Sequence, residues 1–378
     1  MRFIGRGFNG LALLACWSIA AGMAVLAQTA PASDQMGWLP NHPATHAEDY
    51  AGEAKCAACH SAQSKKQAAS DMGLSVLRPA EARVLAEHPA MSFERGKYIY
   101  TLRKEAGQVT FTASDGHDTI TEPVYVVVGP GSVFQAYLIQ HKGEFYRAPV
   151  DYFAAQGKPG PDPDADPAMP ATLETALGKH LSADGVRFCF GCHSPATVIG
   201  DKFDIAGRTP GIGCEVCHGP GAKHVAAMHE GKKQDAAIFN PARMSVALQS
   251  DFCDQCHESA AKMKAENPHG VRSIVSPAYR LQGSRCFLAF DKRSSCSACH
   301  DPHAPMERTT VAYDSKCLAC HTVRGGAAAR PDQAGKSCPV GSQDCASCHM
   351  PKAMVANLPT VFTDHRIRIA AAGAPFPE

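Results

Sequence analysis

Charge is scarce in this chain of 378 residues: 19% of it is Asp, Glu, Lys or Arg, and the net charge is +1. Binding to nucleic acid or to an anionic membrane needs clustered Lys and Arg, so the sequence makes no electrostatic case for either. Long apolar runs are equally scarce. After Ala27 no segment has the roughly 18 consecutive apolar residues of a membrane helix, so no span is expected once the N-terminal stretch is removed. Long amphipathic helices are missing too, because Gly and Pro interrupt the helical pattern behind residue 171. The "GPG" at 129–131 lacks the Lys and Ser/Thr of a phosphate loop and reads as a turn.

The N-terminus, "MRFIGRGFNGLALLACWSIAAGMAVLAQTA", carries two arginines and then an apolar run from Leu11 to Ala27. Val25 and Ala27 suit signal peptidase, so residues 1–27 read as a removed export signal and the mature chain as periplasmic or extracellular. A retained anchor is the alternative. Residues 28–75 form an N-terminal segment. Within 76–156, "KYIYTL" (97–102), "QVTFTA" (108–113), "EPVYVVV" (122–128) and "FQAYLI" (134–139) alternate β-branched and aromatic residues between Gly-marked turns, predicting a small antiparallel β-module. "GKPGPDPDADPAMP" (157–170) reads as a Pro/Asp linker. The remainder, 171–378, predicts short helices, for example over 222–234 and 258–266.

Against this background the cysteines stand out. "CAACH" at 56, "CFGCH" at 189, "CEVCH" at 214, "CDQCH" at 253, "CSACH" at 296, "CLACH" at 317 and "CASCH" at 345 use fourteen of the 17 cysteines. Every C-x-x-C is followed by His. Zinc sites need no His behind each pair, and a redox dithiol is single and set in a βαβ context. In c-type attachment the two thiols add to the haem vinyl groups and the following His coordinates the iron. The attachment thiols are therefore Cys56, Cys59, Cys189, Cys192, Cys214, Cys217, Cys253, Cys256, Cys296, Cys299, Cys317, Cys320, Cys345 and Cys348. The proximal ligands are His60, His193, His218, His257, His300, His321 and His349. One motif for about every fifty residues leaves little room for distant porphyrins, which favours a packed chain of redox centres.

Eleven of the 18 histidines lie outside the motifs. His303, three residues behind His300, cannot reach the other face of the same iron and is available to another. His88, His224, His269 and His365 lie in short irregular contexts and are the other expected distal ligands. His42, His46 and Met72 are weaker candidates, and a thioether at Met72 would raise the potential of its haem. His117, His141, His180 and His229 read as structural or exposed. Cys286 and Cys338, the thiols left after signal removal, are expected to form a disulfide in an oxidising compartment.

With these residues in hand, the sequence resembles multihaem c-type cytochromes related to the tetrahaem electron carrier of hydroxylamine oxidoreductase. The likeness rests on "GIGCEVCHGPGAKHV" (211–225), "DFCDQCH" (251–257), "RLQGSRCF" with "SCSACHDPH" (280–303), "YDSKCLACH" (313–321) and "CASCHMPK" with "FTDHRI" (345–367). "GPGSVFQAYLIQHKGEFYRAPVDYF" resembles the insertion between the first two haems of longer members. The resemblance implies a mainly α and irregular cytochrome fold of short helices around stacked haems. It also implies bis-histidine iron, with His224, His303 and His365 as distal ligands. In the tetrahaem carrier a His follows the first motif where this chain has "SDMGLS".

The expected function is electron transfer between redox partner proteins through seven covalent haems. The alternative is a multihaem oxidoreductase acting on a small nitrogen or sulfur oxyanion at one five-coordinate haem. Catalytic members of such families commonly use C-x-x-C-K or a tyrosine crosslink, and this chain has no C-x-x-C-K. Acid and organic-solvent extraction should leave seven porphyrins on the polypeptide, and replacing Cys296 and Cys299 by Ser should remove one. Bound zinc, or a mass showing fewer haems, would count against the reading.

Overall fold

The computed structural model describes residues 38–41, 46–199, 202–207, 209–232, 237–258, 260–266, 270–287, 291–321, 343–355 and 360–370. The expected export signal at 1–27, His42, His269 and Cys338 lie outside them. Cys338 takes with it the expected disulfide.

Alternation of apolar and polar residues builds the largest element. Ten strands form one antiparallel sheet: β1 Val76–Leu77, β2 Ala90–Arg95, β3 Tyr98–Glu105, β4 Gln108–Ser114, β5 Thr119–Val128, β6 Phe134–His141, β7 Glu144–Arg147, β8 Val150–Phe153, β9 Lys158–Pro161 and β10 Lys179–Leu181. The order is β10-β7-β6-β5-β4-β3-β2, with β1 on β5 and β8 bridging β6 and β9. Two hairpins turn on paired left-handed residues, Ala106 (φ 49°) with Gly107 (φ 82°) and Lys142 (φ 51°) with Gly143 (φ 86°). That geometry matches the right-handed twist of the flanking strands.

The sheet is apolar on both faces where β5 and β6 cross its middle. Val127, Tyr137 and Ile139 join Tyr98, Tyr100, Leu102 and Phe111 in one cluster. Val126 and Leu138, which point the other way, pack with Leu181, Val186 and Phe190. Phe111 is fully enclosed, and a ring so placed contributes about 3–5 kcal/mol relative to alanine. Val186 and Phe190 lie on the helix Ala183–His193, which ends in the second motif. The sheet is thus the platform on which that motif sits.

Two expectations are corrected. The β-module is not small, and the chain is less helical than a mainly α cytochrome fold. Residues 157–170 are not a free linker, since β9 pairs with β8 and Arg95 Nη2 donates to Ala168 O at 3.1 Å. Prolines rule out a helix there but allow an edge strand, a distinction that composition does not make. The rest of the chain follows its helical expectation in short pieces, among them Ala222–His229 and Ala260–Glu266. A two-stranded pair, β11 Val198–Ile199 and β12 Lys202–Phe203, and a hairpin, β13 Lys352–Met354 and β14 Val361–Thr363, complete it.

One charge cluster closes the sheet beside β7. Arg147 reaches Asp151 at 2.9 Å, Asp162 at 2.7 Å and Asp164 at 3.0 Å. Asp151 and Asp162 are buried while Asp164 is exposed, so one cation faces three carboxylates. Burial outweighs Arg147 and pushes the Asp151 carboxyl up to about 7. A group whose folded value lies above its unfolded one adds stability that is complete below about pH 4 and is lost as the pH rises through 7. After correction for intrinsic rates, amides of β6 to β8 should exchange more slowly at pH 5 than at pH 8, and Asp151→Asn should flatten the difference. Equal protection at both pH values in the unaltered chain would contradict this.

Candidate haem-binding centre

Each motif sits on a helical turn, because two residues three apart on a helix share one face and so aim both thiols the same way. Helical segments carry Cys56 and Cys59 (Glu53–Cys59), Cys189 and Cys192 (Ala183–His193), Cys214 and Cys217 (Cys214–His218), Cys296 and Cys299 (Cys296–Cys299), Cys317 (Asp314–His321) and Cys345 and Cys348 (Cys345–His349). Val246–Asp254 carries Cys253, and Cys256 follows it. The Cys320 side chain is not among those described.

Polar side chains from one motif cap the start of another. Cys214 N donates to Glu53 Oε1 at 2.9 Å. In return Glu215 accepts from Ala51 N (2.7 Å), Gly52 N (2.8 Å) and Gly221 N (2.7 Å). Cys345 N donates to Asp314 Oδ1 at 2.8 Å, and Ser297 N to Gln249 Oε1 at 3.2 Å. All but the bond from Ala51 N satisfy a backbone donor that a helix start leaves unpaired. The bonds tie motif one to three, six to seven, and the helix of motif four to five.

The thiols show the same neighbourhoods. Cys56 lies beside Cys214, Cys192 beside Cys256, Cys253 beside Cys296 and Cys317 beside Cys345. Each of the first three contacts shifts its thiols in opposite directions: Cys192 falls to about 7 through the contact with Cys256, while Cys256 rises through that contact and burial. Cys217 interacts with Cys253 and Cys256, and Cys299 with Cys317. All seven motifs therefore form one continuous set, in which the fourth adjoins the second, third and fifth.

Three histidine pairs face one another. The ring centres of His60 and His224 are 6.5 Å apart, those of His218 and His303 6.1 Å, and those of His300 and His365 6.2 Å. Two metal–imidazole bonds of about 2.0 Å, with about 1.1 Å from each nitrogen to its ring centre, span about 6 Å. The pairs are therefore spaced to hold one metal ion between them. In each, the second His comes from the segment behind the motif two further along the chain: behind three for one, behind five for three, and behind seven for five.

Hydrogen bonds select the tautomer. His218 Nδ1 donates to Phe239 O (2.9 Å), His349 Nδ1 to Arg368 O (2.9 Å) and His365 Nδ1 to Thr363 O (3.1 Å). The Tyr313 hydroxyl donates to Glu307 O at 2.8 Å and lies 3.4 Å from His300 Nδ1, from which it accepts. Carbonyls only accept, so Nδ1 holds the proton and Nε2 keeps its lone pair, as a metal ligand requires. Burial lowers His193, His218, His257 and His300 and takes His365 down to about 4. These imidazoles are neutral at pH 7. Phe188, 84% exposed beside Cys189, and Ile369, 91% exposed, present apolar surface that suits a porphyrin face.

Other expected residues sit differently. His88 faces Tyr152, with its Nε2 3.4 Å from the hydroxyl. His46 is exposed beside Glu48. Met72 O accepts from Ile212 N at 3.0 Å, which places Met72 next to the lead-in of motif three. His141 is held by Glu122 at 2.6 Å and His180 by Glu144 at 3.2 Å, both on the sheet. Among the described residues no group of three or more His, Cys, Asp or Glu is arranged to hold a metal by protein alone. None of their helices is long and apolar enough to cross a membrane. Sequence reasoning missed Glu53, Glu215, Gln249 and Asp314. Their only signal was a polar residue within or just ahead of a motif.

No protein-family model matches the chain. It is 24% identical over 199 residues to the multihaem cytochrome MtrA of Shewanella baltica (strain OS185), covering 41% of this chain and 59% of that protein. The match thus spans less than two thirds of that relative's length. Among solved structures it is similar to the outer cell wall cytochrome OcwA, with a TM-score of 0.45 and 14% identity over 85% of this chain and 80% of that one. Taken with the motifs, the likeness to MtrA supports a multihaem c-type cytochrome.

Glu215→Ala would leave the amides of Ala51, Gly52 and Gly221 without their acceptor, at about 1–3 kcal/mol for the buried Gly221 N–H and less for the other two, which water reaches. Denaturant unfolding should show that loss, and limited proteolysis should cut near residues 46–52 faster. Unchanged stability and cleavage would mean that the carboxylate does not join motifs one and three.

Proposed function

We propose that this protein is an exported heptahaem cytochrome that passes electrons between redox partner proteins in the periplasm or outside the cell. The observation that carries the proposal is the set of three facing histidine pairs, spaced for a single iron, within an unbroken series of thiol-bearing motifs. Haem c supplies reversible one-electron chemistry when bound. The chain's part is to anchor each group through two thiols, to offer Nε2 from both sides, and to hold neighbouring motifs against one another.

In this reading His224, His303 and His365 complete the irons of motifs one, three and five. His269 follows motif four as His224 follows motif three, so its position suits motif two, whose Cys192 meets Cys256. His88 is the fifth distal proposal and would have to leave the Tyr152 hydroxyl; the two further irons draw on His42, His46 or Met72. The kinship with carriers related to the tetrahaem partner of hydroxylamine oxidoreductase belongs to this proposal, as do residues 1–27 as the export signal.

Replacing His224, His303 or His365 by Ala should turn one iron of seven from six- to five-coordinate. The oxidised protein would gain one high-spin electron paramagnetic resonance signal, and the reduced protein would bind one equivalent of carbon monoxide. Variants that keep only low-spin signals and bind no carbon monoxide would remove the basis of the axial assignment. Stoichiometric carbon monoxide or nitrite binding by the unaltered protein would instead favour an oxidoreductase with an open iron.

A further inference from the structure

We infer that the buried ion pair Arg280–Asp364 is the positioning element for two axial histidines, His365 opposite His300 and His349 of motif seven; the inference rests on the axial reading above. Asp364 is 0% exposed and Arg280 2%. Arg280 Nε donates to Asp364 Oδ1 and Nη2 to Oδ2, both at 2.8 Å, a two-point fork that fixes the carboxylate plane. Arg280 Nη1 donates to Ser273 Oγ at 3.1 Å, which anchors the guanidinium to the segment behind motif four.

The carboxylate in turn shapes the strand end that carries His365. Its Oδ1 also accepts from Arg366 N at 2.9 Å, and its Oδ2 lies 3.2 Å from Arg368 Nη1. Asp364 N donates to Pro351 O at 2.9 Å. Ser284, close behind Arg280, donates to His365 O at 3.2 Å and accepts from Ile367 N at 2.8 Å. Residues 364–368 are thus held from both sides, with His365 directed at His300. The same segment ends by gripping motif seven, where Arg368 N donates to His349 O at 3.1 Å and Arg368 O accepts from His349 Nδ1 at 2.9 Å.

Energetics favour a directional role. Two charges removed from water recover little net stability from their mutual attraction, and apolar residues of similar volume commonly serve a fold as well. What they cannot do is bind in a fork and template a turn. Arg280 and Asp364 are positioning residues and touch no iron themselves.

The test compares His365→Ala, Asp364→Asn and Arg280→Lys in the haem-loaded protein by haem count, electron paramagnetic resonance, carbon monoxide binding and a reductive titration. His365→Ala should open one site per molecule. Asp364→Asn should keep seven haems, convert one low-spin signal to high-spin and admit carbon monoxide at one iron. It should also shift two of the seven potentials, those of motifs five and seven. Arg280→Lys keeps the charge and loses the second hydrogen bond, so it should do the same in a fraction of molecules, and it carries the test if Asp364→Asn does not assemble. Should His365→Ala open a site while neither pair variant alters spectra or potentials, the inference fails alone, even if melting temperatures drop. Should His365→Ala open none, the axial reading and the inference fall together.

Discussion

The gap between facing imidazoles is the constraint on which the rest of this structure depends. A metal held from two sides fixes the separation of its two donors to within a few tenths of an ångström, and here the donors come from segments far apart in the chain. His60 and His224, His218 and His303, and His300 and His365 each join one motif to the segment behind the motif two further on. Ligation in this pattern would cross-link the polypeptide repeatedly from residue 60 to residue 365. That would account for a cytochrome region of short helices with few apolar runs.

The same economy explains where the scarce charge goes. A chain with few carboxylates buries several of them at motif boundaries. Glu215 and Asp364 are buried and make multiple hydrogen bonds to backbone donors or Arg. Asp314, held below the ordinary carboxylate range chiefly by the Cys345 N–H, caps motif seven from motif six. A buried carboxylate is directional and costly to leave unsatisfied. It therefore resists sliding of one motif against its neighbour in a way that an apolar contact does not.

The β-sheet contributes by a different route. Its two apolar faces arise from β5 and β6, and one of them receives Val186 and Phe190 of the helix that carries motif two. The sheet is also tied to the cytochrome region by a polar bridge. Asp71, ahead of β1, accepts from Ser132 in the β5–β6 turn at 2.8 Å and from Arg308 at 3.3 Å. Residues near motifs one and five thus meet on the rim of the sheet.

Much of this was legible in the amino-acid order. A C-x-x-C-H motif is local, so Cys56 to His60 and its six counterparts are readable as candidate attachment sites from spacing alone. The strands β3 to β6 follow from alternation, because a half-buried strand writes its burial pattern directly into its side chains. His224, His303 and His365 were marked as ligands by the family likeness, but not which iron each one faces. That depends on which motifs adjoin, a property of packing between residues 65 to 164 positions apart in the chain. The strand β9, written in prolines, looked like a linker because sequence shows the missing donor and not the free edge that tolerates it. Arg280 and Asp364 stand 84 residues apart with nothing in either neighbourhood to announce the other. The sequence by itself determined the C-x-x-C-H motifs and the local elements, which obey short-range rules. Only the tertiary structure decided the histidine pairing, the caps between motifs and the buried ion pair, because a chain brings distant groups together through its whole fold.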